Sequence, residues 1–202
     1  MSEMRYVPRS AFASLRPARR GPVSGETGIT VLECGDRLLA SVSAQRDKAD
    51  GAAARMAQRF SLDPPRTPRY VADGGICLAW SGPGQWMAHA EATAIPDLAD
   101  RLRVALAGLV SVTDQTDGWV SLRLSGTRTR EVLAKGLALD VHPRVFRPGD
   151  VALGQIEGMP VRLLQVDEAP VYEIMAYRSM ARCFFEWLQD SASEFGFEFL
   201  GG

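Results

Sequence analysis

Two histidines and three cysteines, scattered through 202 residues, leave little material for a catalytic or metal centre. Cys34, Cys77 and Cys183 lie far apart and outside any CxxC spacing, so neither a thiolate metal site nor a disulfide framework is indicated and a reducing, cytoplasmic setting is expected. A nucleophile-His-acid triad would have to use His89 or His142, and no GxSxG elbow supplies the nucleophile. The glycine-containing stretches SGPGQ at 81–85 and GDVALGQ at 149–155 match neither a P-loop nor a dinucleotide fingerprint. An excess of either charge is also missing: 23 basic residues against 24 acidic ones give a net charge of −1, so nothing draws the whole chain to nucleic acid or anionic lipid. No apolar run approaches the ~20 residues that span a bilayer, and the N-terminus lacks the apolar core of a secretory signal. A chain neither exported nor inserted, with no nucleic-acid or membrane partner, is expected.

What is present is apolar material for a real core, 46% of the residues, enough for one sizeable domain or two small ones. The first segment is biased: Arg5, Arg9, Arg16, Arg19 and Arg20 are interleaved with Pro8, Pro17 and Pro22 and opposed by Glu3. Such a segment does not fold alone. Residues 1–24 are therefore expected to be an extended arm, either a solvated terminus or an arm laid on another subunit. An Arg-rich transit peptide would need an amphipathic helix that these prolines disfavour.

Residues 29–33 and 37–44 read as strands around the turn Cys34-Gly35-Asp36, and 47–60 as an Ala-rich helix. DPPRTP at 63–68 marks a surface connection. Strands at 76–80 and 86–91 are joined by Ser81-Gly82-Pro83-Gly84. Trp80 and Trp86 flank that turn as a hairpin clasp or as interface anchors. A helix from Pro96 places Leu98, Leu102, Ala105, Leu106 and Leu109 on one face.

The densest stretch is 111–150. Asp117-Gly118 offers turn chemistry between two strand-like runs, and in the second Val120, Leu122 and Leu124 alternate with Trp119, Ser121 and Arg123. A short helix from Thr127 ends at Lys135 and Gly136, with Gly136 expected at positive φ. Three strands follow at 151–156, 160–166 and 171–177, Glu157-Gly158 turning the first pair, and then a helix over 178–195 with Met180, Phe184, Trp187, Leu188 and Phe195 as its core stripe. Asp114, Asp117, Asp167 and Glu168 are read as turn and loop residues. The order ββαββα followed by ββαβββα predicts an α+β fold: one domain over 25–202, built of two similar βαβ-type halves, 25–108 and 109–202, with helices packed on one face of antiparallel sheets.

The sequence resembles the gamma subunit of heterotetrameric sarcosine oxidase. The matching pieces are WSGPGQW at 80–86, VTDQTDGWVSLRLSG at 112–126, REVLAKG at 130–136, LDVHPRVF at 139–146 and YRSMARCFFEWL at 177–188. More distantly, Asp114-Gln115-Thr116, the strand after it and the Ser-Gly turn into a helix look like the folate-binding domain of the glycine-cleavage aminomethyltransferases, itself a duplicated α+β unit. QIEGMP at 155–160 is a short turn where those enzymes carry a long acidic hairpin, and the Lys-Gly-Cys-Tyr motif of the iron-sulfur-maintenance branch is missing. No catalytic, cofactor-binding or metal-ligating residue is carried over.

The resemblance implies a chain that supports assembly of a complex with alpha, beta and delta subunits. That complex would demethylate sarcosine oxidatively to glycine, form hydrogen peroxide and pass the one-carbon unit to tetrahydrofolate. FAD, covalent FMN and NAD would lie on the alpha and beta subunits, folate on alpha and zinc on delta, leaving no cofactor on this chain. Interface residues are expected among Arg5, Arg9, Arg16, Arg19, Arg20, Trp80 and Trp86. The competing expectation is a free-standing folate-dependent one-carbon transferase, supported by fold likeness alone.

Overall fold

The computed structural model describes residues 10–15, 18–21 and 27–201. Strands β1 (Ala18–Arg20), β2 (Ile29–Glu33) and β3 (Arg37–Ala44) lead into helix α1 (Ala49–Phe60). Strands β4 (Tyr70–Asp73), β5 (Ile76–Gly82) and β6 (Gln85–Glu91) then precede α2 (Leu98–Ala105). The second half runs through β7 (Val110–Asp114), β8 (Trp119–Ser125), α3 (Thr129–Ala134), β9 (Val151–Ile156), β10 (Met159–Asp167), β11 (Val171–Tyr177), α4 (Ala181–Ala192) and β12 (Phe197–Gly201). Two sheets form, β1-β12-β2-β8-β11-β10-β9 and β4-β5-β6-β3-β7. All pairings are antiparallel except β12 with β2.

Strand alternation explains the layers. In β8, Val120, Leu122 and Leu124 join Phe184, Phe185 and Leu188 of α4 in one core, so α3 and α4 cover the outer face of the seven-stranded sheet. In β5 and β6, Leu78, Trp86, Ala88 and Ala90 join Met56 of α1 and Leu102 of α2, which cover the outer face of the five-stranded sheet. A third cluster, Leu39, Cys77, Ala79, Met87, Val151, Leu164 and Met175, draws on both sheets and marks where their inner faces meet. Each sheet thus carries its helices on one face, as the pattern predicts.

Several expectations need correction. The missed β4 gives each half the order ββαβββα, and the extra strand of the second half is β12, after α4, instead of one before it. Neither Cys34-Gly35-Asp36 nor Asp117-Gly118 closes a hairpin: both carry the chain from one sheet to the other. Each half therefore contributes its first strand, β2 or β7, to the sheet built by the other half, and a division at residue 108 cuts through both sheets. The hairpins at Pro83-Gly84 and Glu157-Gly158 do form. In the latter, φ is 48° at Glu157 and 81° at Gly158, as a two-residue loop of that hand demands. Gly136 does not take positive φ; a Cβ there would lie 2.7 Å from the Trp187 ring, so the glycine serves close approach instead.

The described part of the N-terminal segment is not a free arm. Phe12 is fully buried, its ring centroid 5.5 Å from that of Phe185 and 6.0 Å from that of Phe199. Ser10 Oγ donates to Glu33 Oε2 at 2.7 Å, and β1 adds to the sheet through β12. One aromatic side chain anchors a segment that its arginines and prolines mark as soluble.

Candidate functional site

The inner faces carry charge where a sandwich normally carries only apolar side chains. Arg37 opens β3, Glu173 sits in mid-β11, and Arg123 lies beside Glu173 in the β8–β11 register. Arg37 Nη2 donates to Glu173 Oε1 at 3.2 Å while its Nη1 donates to Oε2, the forked geometry that guanidinium and carboxylate share. Arg123 Nη2 donates to the same Oε1 at 2.7 Å. Arg37 and Glu173 side chains are 7% and 6% exposed, whereas Arg123 reaches solvent at 43%. The pair joins one sheet to the other.

Burial alone would raise the Glu173 pKa; the two guanidiniums outweigh it and hold the carboxyl at about 2. His89, on β6 in the same layer, is pushed down to about 3 by burial and by Arg37. Its Nε2 has no hydrogen-bond partner among the described residues. Burial lifts the Cys77 thiol to about 12 and raises that of half-buried Cys34. Arg162, lowered to about 10 by burial, donates to the Trp80 carbonyl at 3.0 Å and so adds a second link between the sheets. Glu173, His89 and Cys77 therefore change charge far from neutrality, and the cluster suits holding geometry better than moving protons.

A cavity of about 520 Å³ opens over this cluster where the two crossings between sheets diverge, lined by Glu33, Cys34, Arg37, Trp119, Ser121 and Arg178 among others. Thr116 fixes the second crossing by accepting from the Leu39 amide at 3.1 Å. The Ser121 hydroxyl is buried without a partner among the described residues. No group of three or more His, Cys, Asp or Glu with metal-binding geometry occurs among the described residues, and no helix there is long and apolar enough to cross a membrane.

The structure separates the residues expected at an interface. Arg5, Arg9 and Arg16 lie outside the described residues. Arg19 is exposed on β1, and Arg20 pairs with Asp190 of α4 at 3.3 Å. Trp80 and Trp86 stand opposite each other across the hairpin. Trp86 is only 4% exposed, packs in the core under α1 and α2, and donates Nε1 to the Pro65 carbonyl at 2.9 Å, so it is a core residue and not a surface anchor. The alternation argument missed Arg37, Arg123 and Glu173. The available signal was a charge on the inward phase of strands otherwise apolar on that phase, as Glu173 is beside Met175.

This architecture has known relatives. Superposed on a chain of the heterotetrameric sarcosine oxidase from Corynebacterium sp. U-96, solved in complex with pyrrole 2-carboxylate, it gives a TM-score of 0.80 at 26% identity, over 96% of this chain and 97% of that one. The glycine cleavage system aminomethyltransferase T from Bartonella henselae shares the fold, with a TM-score of 0.63 at 16% identity over 86% of this chain and 48% of that one. In sequence, the chain is 27% identical over 196 residues to the sarcosine oxidase subunit gamma of Corynebacterium sp. strain U-96, covering 96% of this chain and 93% of the relative. To the subunit gamma of strain P-1 it is 32% identical over 125 residues, 61% and 60% of the two chains. Residues 45–194 match the sarcosine oxidase, gamma subunit family, and the chain belongs to that family.

Proposed function

We propose that this chain is the non-catalytic gamma subunit of a cytoplasmic, heterotetrameric, flavin-dependent sarcosine oxidase and acts by supporting its assembly. The observation that carries the reading is the end-to-end likeness to one chain of such a heterotetramer, 97% of which is covered. The buried polar cluster supports it as well, since Glu173, His89 and Cys77 all titrate outside the range in which an acid or base works at neutral pH. In this reading alpha, beta and delta subunits supply the chemistry. They oxidise sarcosine to glycine, reduce oxygen to peroxide, hand the one-carbon unit to tetrahydrofolate, and hold FAD, FMN, NAD and zinc. Arg5, Arg9, Arg16 and exposed Arg19 are the part of the N-terminal segment proposed to meet a larger subunit, where guanidiniums suit carbonyl and carboxylate acceptors.

The test is co-expression with the flavoprotein alpha and beta subunits and the delta subunit of such a complex. A complex retaining this chain, with a flavin spectrum and sarcosine-dependent peroxide formation, is expected. The chain purified alone should be colourless and inactive. A stoichiometric yellow chromophore on the isolated chain would overturn the reading. The free-standing folate transferase rests on fold likeness at 16% identity, which carries no function of its own.

A further inference from the structure

The two halves are topologically equivalent, and the equivalence fails at one place. In the seven-stranded sheet the first strand of its half, β2, is flanked on its outer side by β12, which runs parallel to it. In the five-stranded sheet the equivalent strand, β7, has no neighbour among the described residues on its outer side.

The backbone of β7 is set up as β2 is. Gln45 N–H donates to Leu109 O at 2.9 Å and Gln115 N–H to Leu39 O at 2.8 Å, so the Leu109 carbonyl and the amides of 111, 113 and 115 turn toward β3. The amides and carbonyls of Val110, Val112 and Asp114 then point outward. In β2 the Ile29 amide reaches outward to Gly196 at 3.0 Å, and Cys34 N–H turns inward to Ser121 at 2.9 Å. In both strands the residues with outward amides send their side chains under the helices: Ile29 and Val31 in one core, Val110 and Val112 in the other.

The edge is unguarded. The strand VSVTD contains no lysine or proline, and its one charge, Asp114, is at its last position, so the stretch 110–113 lacks the devices that keep a free edge from pairing. The opposite edges, β4 and β9, are tied by the Arg69–Asp150 bridge and its 2.5 Å ion pair. On the β7 side the inward-phase residues Ser111, Thr113 and Leu32 are exposed.

Building on the subunit reading, the structure assigns this place to a sixth strand supplied by another polypeptide of the assembly, parallel to β7 and equivalent to β12. Charge gives the occupant's pattern. Exposed Arg46 and Lys48, the latter bonded to the Gly108 carbonyl at 2.8 Å, flank the start of β7, and exposed Asp114 closes it, with exposed Asp117 just beyond. A parallel occupant is therefore an extended segment of about five residues, acidic at its N-terminal end, basic at its C-terminal end and uncharged between.

Amide-resolved hydrogen exchange on the isolated chain and on the co-expressed complex tests this. The Val112 amide should exchange rapidly in the isolated chain and slow by at least about 100-fold in the complex, whereas those of Ser111 and Thr113 should be protected in both. Val112→Pro removes an outward donor, which an edge tolerates, and exchanges a side chain only partly buried against the helical core. It should leave the isolated chain's Tm within about 3 °C and weaken recovery of partners about thirtyfold or more. A complex that assembles with Val112 as fast as in the isolated chain overturns the edge while leaving the subunit reading intact. Protection of Val112 in the isolated monomer, or through a homodimer, also overturns it, by assigning the edge to the chain itself or to a second copy. A wild-type chain that recovers no partner overturns the subunit reading and this inference with it.

Discussion

Replacing Glu173 by glutamine would test whether the charged cluster holds the two sheets together. The substitution keeps shape and removes the anion, leaving Arg37, 7% exposed, with Glu91 at 3.8 Å as its nearest carboxylate among the described residues. Breaking a buried pair from one side costs about 3–5 kcal/mol because an uncompensated charge remains. The titration gives a similar figure by another route. A carboxyl held at about 2 against an ordinary 4.5 is stabilised in its ionised form by roughly 3 kcal/mol at about 1.4 kcal/mol per pH unit.

The sign fixes the pH window. A depressed carboxyl contributes in full above the unfolded-state value near 4.5, and the contribution is lost as pH falls through about 2. Urea unfolding of both proteins from pH 7 down to 2.5 should therefore show a gap of about 3 kcal/mol that is constant above pH 5 and shrinks below it. Arg37→Met with Glu173→Leu should recover much of the loss, since Arg123 is solvated and no buried charge would be left unpaired. A gap under about 1 kcal/mol at pH 7, or one that does not shrink in acid, would refute the pair as the link between the sheets.

Phe12→Ala should cost about 3–5 kcal/mol, the range for a fully buried Phe, and deletion of residues 1–20 at least as much. Thermal melts of the isolated chain check both, and a truncated chain as stable as wild type would return residues 10–15 to the status of a loose arm. His89 is neutral and its pKa lies near 3 against 6.5, so below about pH 6.5 the unfolded state takes up a proton that the folded state refuses, and stability falls. His89→Leu should flatten the pH dependence between 6.5 and 3; an unchanged slope would show that His89 is protonated in the fold. Residues 1–108 and 109–202 expressed separately should each lack cooperative unfolding, because β2 would lose β8 and β12 while β7 would lose β3. A cooperative melt from either piece alone would refute the exchange of strands between halves.

Turn chemistry located the hairpins and misjudged the crossings for one physical reason. Pro83-Gly84 and Glu157-Gly158 specify a reversal because their residues fit the dihedrals of a tight loop. Cys34-Gly35-Asp36 and Asp117-Gly118 offer similar residues, but whether the next strand pairs with the last one or changes sheet depends on what its inward side chains meet. Arg37 meets Glu173, 136 residues away, and no local window contains that. β4 escaped notice behind DPPRTP, and β12 because FEFLG is short and its partners β2 and β1 lie more than 160 residues away. Phe12 was hidden by its neighbours: a lone aromatic among arginines and prolines looks soluble until a core cavity of its size is known. The helices needed no such knowledge, since their stripes at 98, 102 and 106, and at 184 and 188, are local.

The duplication also bears on how one fold can serve both an enzyme and an assembly subunit. Two copies of ββαβββα that exchange their first strands produce two equivalent outer edges, at β2 and at β7, and an isolated molecule must deal with both. This chain closes the first with its own C-terminal strand, to which β1 is then added, and Phe12 of the N-terminal segment packs on the aromatic cluster beneath. These described segments thus lie on one half. Nothing equivalent within the described residues reaches β7, whose one charge, Asp114, is at its last position and whose edge lies beside a partly open inner face. Between the sheets, the ion pair and the Arg162 link fix their relative placement without offering a group that titrates near neutrality. A scaffold rigid across its middle and open along one edge presents a fixed template to whatever binds there, and its ordering cost is met by its own fold before the partner arrives.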